Sequence, residues 1–334
     1  MSICLRRREF VAGLGGAAAW PLAARAQQHD RMRRIGVLLS AAATEVEYQG
    51  YLAAFVQDMG RLGWREGQNL RLDVRWNAGD AVLSRTYAAQ LIGLMPDVIV
   101  TGSTVSLAAV QQATKSIPIV FVQVADPLTQ GFVPSMRQPG GNVTGFSLIE
   151  FSLAGKWLNL LKEIAPALKR VAVMFNPGTL PLLKFYVPVF DAAAPSLGVQ
   201  VSYLPVLTES EIERALMEFA EQPNGGLVLV GGSFTRLHYK EIAKLTDCYR
   251  LPSISLIGLA SVGGLMDYGP SFDLARHYGQ AATYVDRILR GAKPGDLPVQ
   301  APTNYKLIIN LKTAKTLGLN VPLPLRGLAD EVIE

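Results

Sequence analysis

The groups able to hold a small charged solute sit in short polar breaks that follow apolar runs. Thr101-Gly102-Ser103-Thr104 comes directly after Val98 to Val100 and opens a helical pattern that continues to Lys115. Gly102 permits close backbone approach, and the Ser103 and Thr104 hydroxyls can donate hydrogen bonds. The helix start adds unpaired N–H groups and a favourable dipole, so a carboxylate suits this turn. The same Ser103 is equally a plain N-cap, its hydroxyl engaged by its own helix. Asp126 follows another apolar run and is held by Pro127, which makes it the natural counter-charge for an ammonium; Asp-Pro is also a common turn.

Further breaks of the same kind are Ser40-Ala41-Ala42-Ala43-Thr44, Asn176-Pro177-Gly178-Thr179 and Gly231-Gly232-Ser233-Phe234. Tyr48, Phe234 and Tyr268 are either aromatic walls for a solute or ordinary packing residues. The candidate ligand set is therefore Ser40, Ala41, Thr44, Tyr48, Thr101, Gly102, Ser103, Thr104, Asp126, Asn176, Thr179, Gly232, Ser233, Phe234 and Tyr268.

Constellations for catalysis are missing from the sequence. The three histidines, His29, His238 and His277, share no metal-type spacing, so neither a metal nor another cofactor is expected. No G-x-S-x-G or Walker loop occurs. Cys4 falls in the N-terminal segment, which leaves Cys248 alone in the body of the chain, on a helical pattern where a small core residue is the ordinary reading. An enzyme is not expected.

The elements that position these breaks alternate between strand and helix over the whole chain. Pro96 to Gln123 reads strand, turn, helix, strand, and Gly226 to Ile257 repeats that plan. Arg34 to Ser40 is likewise echoed by Arg170 to Asn176. Two similar α/β halves with parallel sheets and helices on both faces follow. In such sheets ligands bind beyond the carboxyl ends of the strands, which is where all the breaks lie. The expected organisation is lobe 1 from 32–146 with 260–296, lobe 2 from 147–259 with 297–320, and a tail at 321–334. The second copy is expected to give a helical stretch to Tyr249, and a late strand pair is expected at Val299–Ala301 and Tyr305–Ile309.

The 334 residues are 49% hydrophobic and 18% charged, enough for a sizeable core in two domains. No apolar run beyond residue 30 reaches the roughly 18–20 residues a membrane-spanning helix needs, so no direct membrane insertion is expected. Arg6-Arg7-Arg8-Glu9-Phe10, a weakly apolar run and Ala24-Arg25-Ala26 form an export signal of twin-arginine type over residues 1–26. Its removal takes Arg6, Arg7, Arg8, Arg25 and Glu9 from totals of 32 basic and 27 acidic residues and leaves a net charge of +2. Nucleic acid is therefore not an expected partner. The reading is a free protein of the periplasm.

Ordered blocks extend the reading from residues to family. RIGVLLS from Arg34, PDVIVTGS from Pro96, Ile117 to Pro127, RQPGGNVTGFS from Arg137, LLKEIAP from Leu160, RVAVMFNPG from Arg170, GGLMDYGP from Gly263 and NLKTAKTLGLNVP from Asn310 resemble ABC-transporter substrate-binding proteins of the tryptophan/tyrosine-binding type. The resemblance implies a type I periplasmic-binding fold of two Rossmann-like lobes, the Venus-flytrap architecture. It also implies a monomer that closes on a small solute, an aromatic or other amino acid, and delivers it to an ABC permease with its ATPase. The competing reading is an extracytoplasmic ligand sensor for a membrane signalling protein. A sugar-responsive repressor shares the lobes, but its DNA-binding helices would occupy the place of the export signal.

Overall fold

The structure, a computed structural model, describes residues 32–271 and 273–334; the expected export signal lies outside the described residues. Along the chain run β1 (Arg33–Leu39), α1 (Val46–Arg61), β2 (Leu70–Trp76), α2 (Ala81–Gly93), β3 (Val98–Thr101), α3 (Thr104–Ala113), β4 (Ile119–Ala125) and β5 (Val143–Ile149). The second stretch gives α4 (Leu153–Ile164), β6 (Arg170–Phe175), α5 (Leu183–Leu197), β7 (Gln200–Pro205), α6 (Glu209–Ala220) and β8 (Gly225–Leu229). It continues with α7 (Ser233–Leu237), α8 (Tyr239–Cys248), β9 (Ser253–Ser255), β10 (Met266–Pro270) and α9 (Leu274–Leu289). The chain ends with β11 (Tyr305–Asn310), α10 (Leu311–Thr316), α11 (Leu323–Leu328) and β12 (Glu331–Ile333).

Two sheets result, in the orders β2-β1-β3-β4-β5 and β12-β11-β10-β9-β8-β6-β7. The last five strands of the second sheet, read from β7, repeat the plan of the first, which is the duplication expected from sequence. Inner strands are buried on both faces and read as apolar runs: β1 ends in five consecutive buried residues, and β3 and β8 are buried throughout. The edge strands β2 and β7 are mostly half-buried or exposed, and their sequences mix polar with apolar residues. Pairing is parallel for β1 with β2 and β3, for β3 with β4, and for β6 with β7 and β8. The exception is β11, antiparallel to β10.

The described residues divide into two compact units, one within 32–122, 137–145 and 274–298, the other within 123–136, 146–271, 273 and 299–334. Three stretches account for most of the difference from the expected boundaries. Residues 260–273 belong to the second unit because β10 pairs with β9 and β11. Residues 321–334 are no tail, since β12 extends the second sheet beside β11. Residues 123–136 also join the second unit, anchored where the Asp126 N–H donates to the Ile149 carbonyl at 2.7 Å. Of the expected pair at Val299–Ala301, only an isolated bridge between Gln300 and Phe146 is present.

The core of the second unit gathers the apolar faces of α4 and α5 against the sheet, with Trp157, Phe151 and Phe190 fully buried. Ile212, Leu216, Ile242 and Leu259 fill the opposite face. The helical stretch expected up to Tyr249 is broken at His238, where α7 stops and α8 begins. In the first unit, α9 lies along α1. Its buried face includes Tyr278, Ala281, Ala282 and Val285.

Candidate functional site

In the first unit the loops after β1, β2 and β3 are bound to one another by backbone and by one asparagine. The Asn77 N–H donates to the Leu39 carbonyl at 2.9 Å, and its side-chain Nδ2 donates to Ser106 Oγ at 2.9 Å. Asn77 is fully buried, so it fixes the ends of β1 and β2 against the first turn of α3. Sequence reasoning missed it; the turn-forming run Asn77-Ala78-Gly79-Asp80 was the available signal.

Ser103 is the N-cap of α3, accepting from the Ser106 N–H at 3.1 Å and donating to Ser106 Oγ at 3.0 Å. The hydroxyl is thus engaged by its own helix. What the turn offers an anion is the N–H groups of the first helical turn and the Thr104 side chain. Thr101 is fully buried at the end of β3, its hydroxyl making no hydrogen bond. Gly102 donates to the Leu38 carbonyl at 2.9 Å, and a Cβ there would stand 2.4 Å from the Tyr278 hydroxyl and 2.9 Å from the Leu39 side chain. The glycine is required by close packing inside the unit, a reason separate from any ligand.

Tyr278 ends an aromatic column. Tyr51 stacks on it with centroids 5.6 Å apart, and Tyr48 meets Tyr51 edge-on at 5.3 Å. Burial holds the Tyr278 hydroxyl well above the usual phenol range, with Tyr48 and Tyr51 adding to the effect. Ser40 is half-buried, Ala41 is buried and its carbonyl accepts from the Ala78 N–H at 3.1 Å, and Thr44 is exposed.

In the second unit Asp126 lies just past the end of β4 at φ +33°, an uncommon conformation for a residue with a side chain. One carboxylate oxygen accepts from the Thr129 N–H at 3.0 Å and the other from the Phe151 N–H at 3.1 Å. The carboxylate is therefore fixed in place, and each oxygen keeps a further acceptor position. The ring of Phe151 stacks on Phe185 at 5.1 Å and meets Tyr186 edge-on at 4.7 Å. Burial and then the Asp126 charge raise the Tyr186 hydroxyl above its usual range. An oriented carboxylate thus stands beside a group of rings of which Phe151 and Tyr186 are buried and Phe185 is half-buried. Phe151, Phe185 and Tyr186 had no signal in the sequence beyond their apolar spacing.

The other second-unit candidates have structural duties. Asn176 is buried, donates from Nδ2 to the Val206 carbonyl at 2.9 Å and accepts from the Thr179 N–H at 3.0 Å. Thr179 lies against Gly232, whose φ of +132° strains any other residue. Gly232 precedes Ser233, the first residue of α7, and the Phe234 ring rests on His238 at 4.7 Å. The Tyr268 ring stacks on Tyr305 at 5.8 Å, and its carbonyl accepts from Trp157 Nε1 at 2.7 Å.

The loops of the first unit offer hydroxyls and backbone N–H groups, and those of the second a fixed carboxylate near aromatic rings. Residues 34–333 match the family model described as ABC transporter substrate binding protein. The chain belongs to that family. A curated relative of this substrate-binding protein is a tyrosine-binding protein of Clostridioides difficile, 26% identical over 272 residues that make up 79% of this chain and 75% of the relative. Among solved structures, a conserved domain protein of Vibrio cholerae superposes with a TM-score of 0.71 at 26% identity, over 90% of this chain and all of that one. A Streptococcus pneumoniae ABC domain in complex with L-Trp gives a TM-score of 0.70 at 23% identity, over 90% of this chain and 99% of that one. The two-sheet α/β architecture of this substrate-binding protein is thus the one its family shares, and the family is one of binding proteins. No helix among its described residues is long and apolar enough to cross a membrane.

Proposed function

We propose that this chain is the extracytoplasmic solute-binding component of an ABC importer and that its solute is an aromatic amino acid. The observation that carries the choice of solute is the relative named for tyrosine binding, which aligns with 79% of the chain. The chemistry of the loops supports it. The helix start at Thr104 suits the solute carboxylate, Asp126 suits its ammonium, and the half-buried Phe185 ring, stacked on Phe151, suits an aromatic side chain. In this reading the loops of both units contribute to one solute, so binding favours a closed state by its extra contacts, and a permease with its ATPase receives that state. The protein works as a monomer without catalysing a reaction. The twin-arginine segment delivers it across the membrane folded, and cleavage follows Ala26.

Thermal unfolding of the chain from Gln27 onward tests this against L-tyrosine, L-phenylalanine, L-tryptophan, aliphatic amino acids, sugars and benzoate. A solute at about a hundred times its dissociation constant adds about 2.7 kcal/mol of stability. We expect that shift with an aromatic amino acid and its loss in Asp126→Ala. A shift with sugars or benzoate alone would retain the solute-binding role and remove both the amino acid and the Asp126 assignment.

A further inference from the structure

Apart from the loops already described, the second unit gathers a histidine and two carboxylates from three different turns of its helices. Glu209 is the first residue of α6, His238 is the junction between α7 and α8, and Glu241 stands in the first turn of α8. One ligand atom from each lies within 4.8 Å of the other two. We propose that these three side chains bind a first-row divalent cation, zinc by preference, and thereby lock α6 to the α7–α8 junction.

Two features of the cluster point to a cation. Glu241 Oε2 is buried and accepts no hydrogen bond, although its side chain is a third exposed, and it forms an ion pair with His238 Nδ1 at 3.4 Å. A buried carboxylate oxygen without a donor is costly, and a cation bound by it offsets that cost. The second feature is the approach of two carboxylates to each other, which repel unless a cation stands between them.

The donor set decides the metal. One imidazole nitrogen with two carboxylate oxygens is a frequent zinc arrangement, leaving the fourth tetrahedral position to solvent, whereas magnesium and calcium favour all-oxygen shells. Glu209 is exposed, which leaves an entry path from solvent, while the His238 ring is held by the face of Phe234. The i,i+3 spacing of His238 and Glu241 is visible in the sequence, but Glu209 comes from a distant helix and only the fold brings it in. The consequence for the protein is local: the Gly231–Phe234 loop, which leads into this junction, becomes firmer when the metal is bound.

The test uses the untagged chain from Gln27 to Glu334, stripped with a chelator and titrated calorimetrically with zinc chloride. One saturable site and a rise in the unfolding temperature are expected. His238→Ala weakens binding by about a hundredfold, the scale on which even outer partners of metal ligands act. Glu209→Gln, a change at an exposed helix start that leaves folding intact, weakens it by about tenfold. Absence of a saturable heat, or equal binding by wild type and Glu209→Gln, overturns the site. Tighter binding of magnesium than of zinc overturns the metal class.

Discussion

Trp157→Ala is expected to lower the unfolding free energy of the second unit by about 3–5 kcal/mol, the range for deleting a fully buried large aromatic side chain. Trp157 is 0% exposed, packs beside Tyr186 at 5.9 Å and Phe190 at 6.4 Å, and donates from Nε1 to the Tyr268 carbonyl. Alanine removes the rings' packing partner and leaves a buried carbonyl without its donor, two independent penalties. The expected fall in unfolding temperature is roughly 10 °C. Because Trp157 holds the carbonyl of Tyr268 and the ring of Tyr186, solute affinity should fall with it. Trp157→Phe recovers part of the packing and not the hydrogen bond, so it should lie between wild type and alanine. A loss below about 1 kcal/mol for Trp157→Ala would mean that the α4 face tolerates a cavity and that the packing described for this core is wrong.

Asp267→Ala should cost a similar amount, about 3–5 kcal/mol, by a different cause. Asp267 is 2% exposed, and its carboxylate accepts from Ser255 Oγ at 2.5 Å and from the N–H groups of Gly258, Leu259 and Ala260 at 2.8, 3.1 and 3.1 Å. Burial pushes the carboxyl up from its usual range while these four donors oppose the shift. Removing the carboxylate strands all four donors together, and bonds to a charged acceptor are worth more than neutral ones. The turn after β9 should then open, releasing Leu259 from the core cluster it shares with Tyr239. Urea denaturation reads the loss directly, and hydrogen exchange at Leu259 and Ala260 should rise with it. Unchanged exchange there would contradict the anchoring role of Asp267.

The sequence made the repeated architecture legible for a physical reason. Inner parallel strands are buried on both faces, so Ile35–Leu39, Val98–Val100 and Leu227–Leu229 stand out as apolar runs ending in turn residues. Strand-to-strand partners were less visible. Glu331–Ile333 is too short to read as a strand, and only its register against β11 makes it one. Met266–Pro270 was assigned to the wrong lobe because its pairing with β9 and β11 is set by neighbours in space. The break at His238 was hidden because apolar residues continue at helical spacing on both sides of it.

At the candidate site, residue types were readable and their hydrogen-bond partners were not. Ser103 could be named both as an anion donor and as a cap, and only coordinates showed its hydroxyl facing Ser106. Asp126 could be chosen for following a strand end, yet of its two backbone donors only Thr129 is local, and Phe151 lies 25 residues along the chain beyond β5. Gly102 reads as a ligand glycine, and its packing duty, making room for Tyr278 on the last helix of the same unit, is invisible in the sequence. Long-range packing of this kind leaves no trace in local spacing.

The central claim, that the solute is an aromatic amino acid held by both its carboxylate and its ammonium, is tested most directly by calorimetric titration of the chain from Gln27 with three related compounds. L-Tyrosine should bind at one site, while tyramine, which lacks the carboxylate, and 3-(4-hydroxyphenyl)propionate, which lacks the ammonium, should each bind at least tenfold more weakly, a loss of about 1.4 kcal/mol or more. Equal binding of all three, or binding of none by a folded protein, would contradict it.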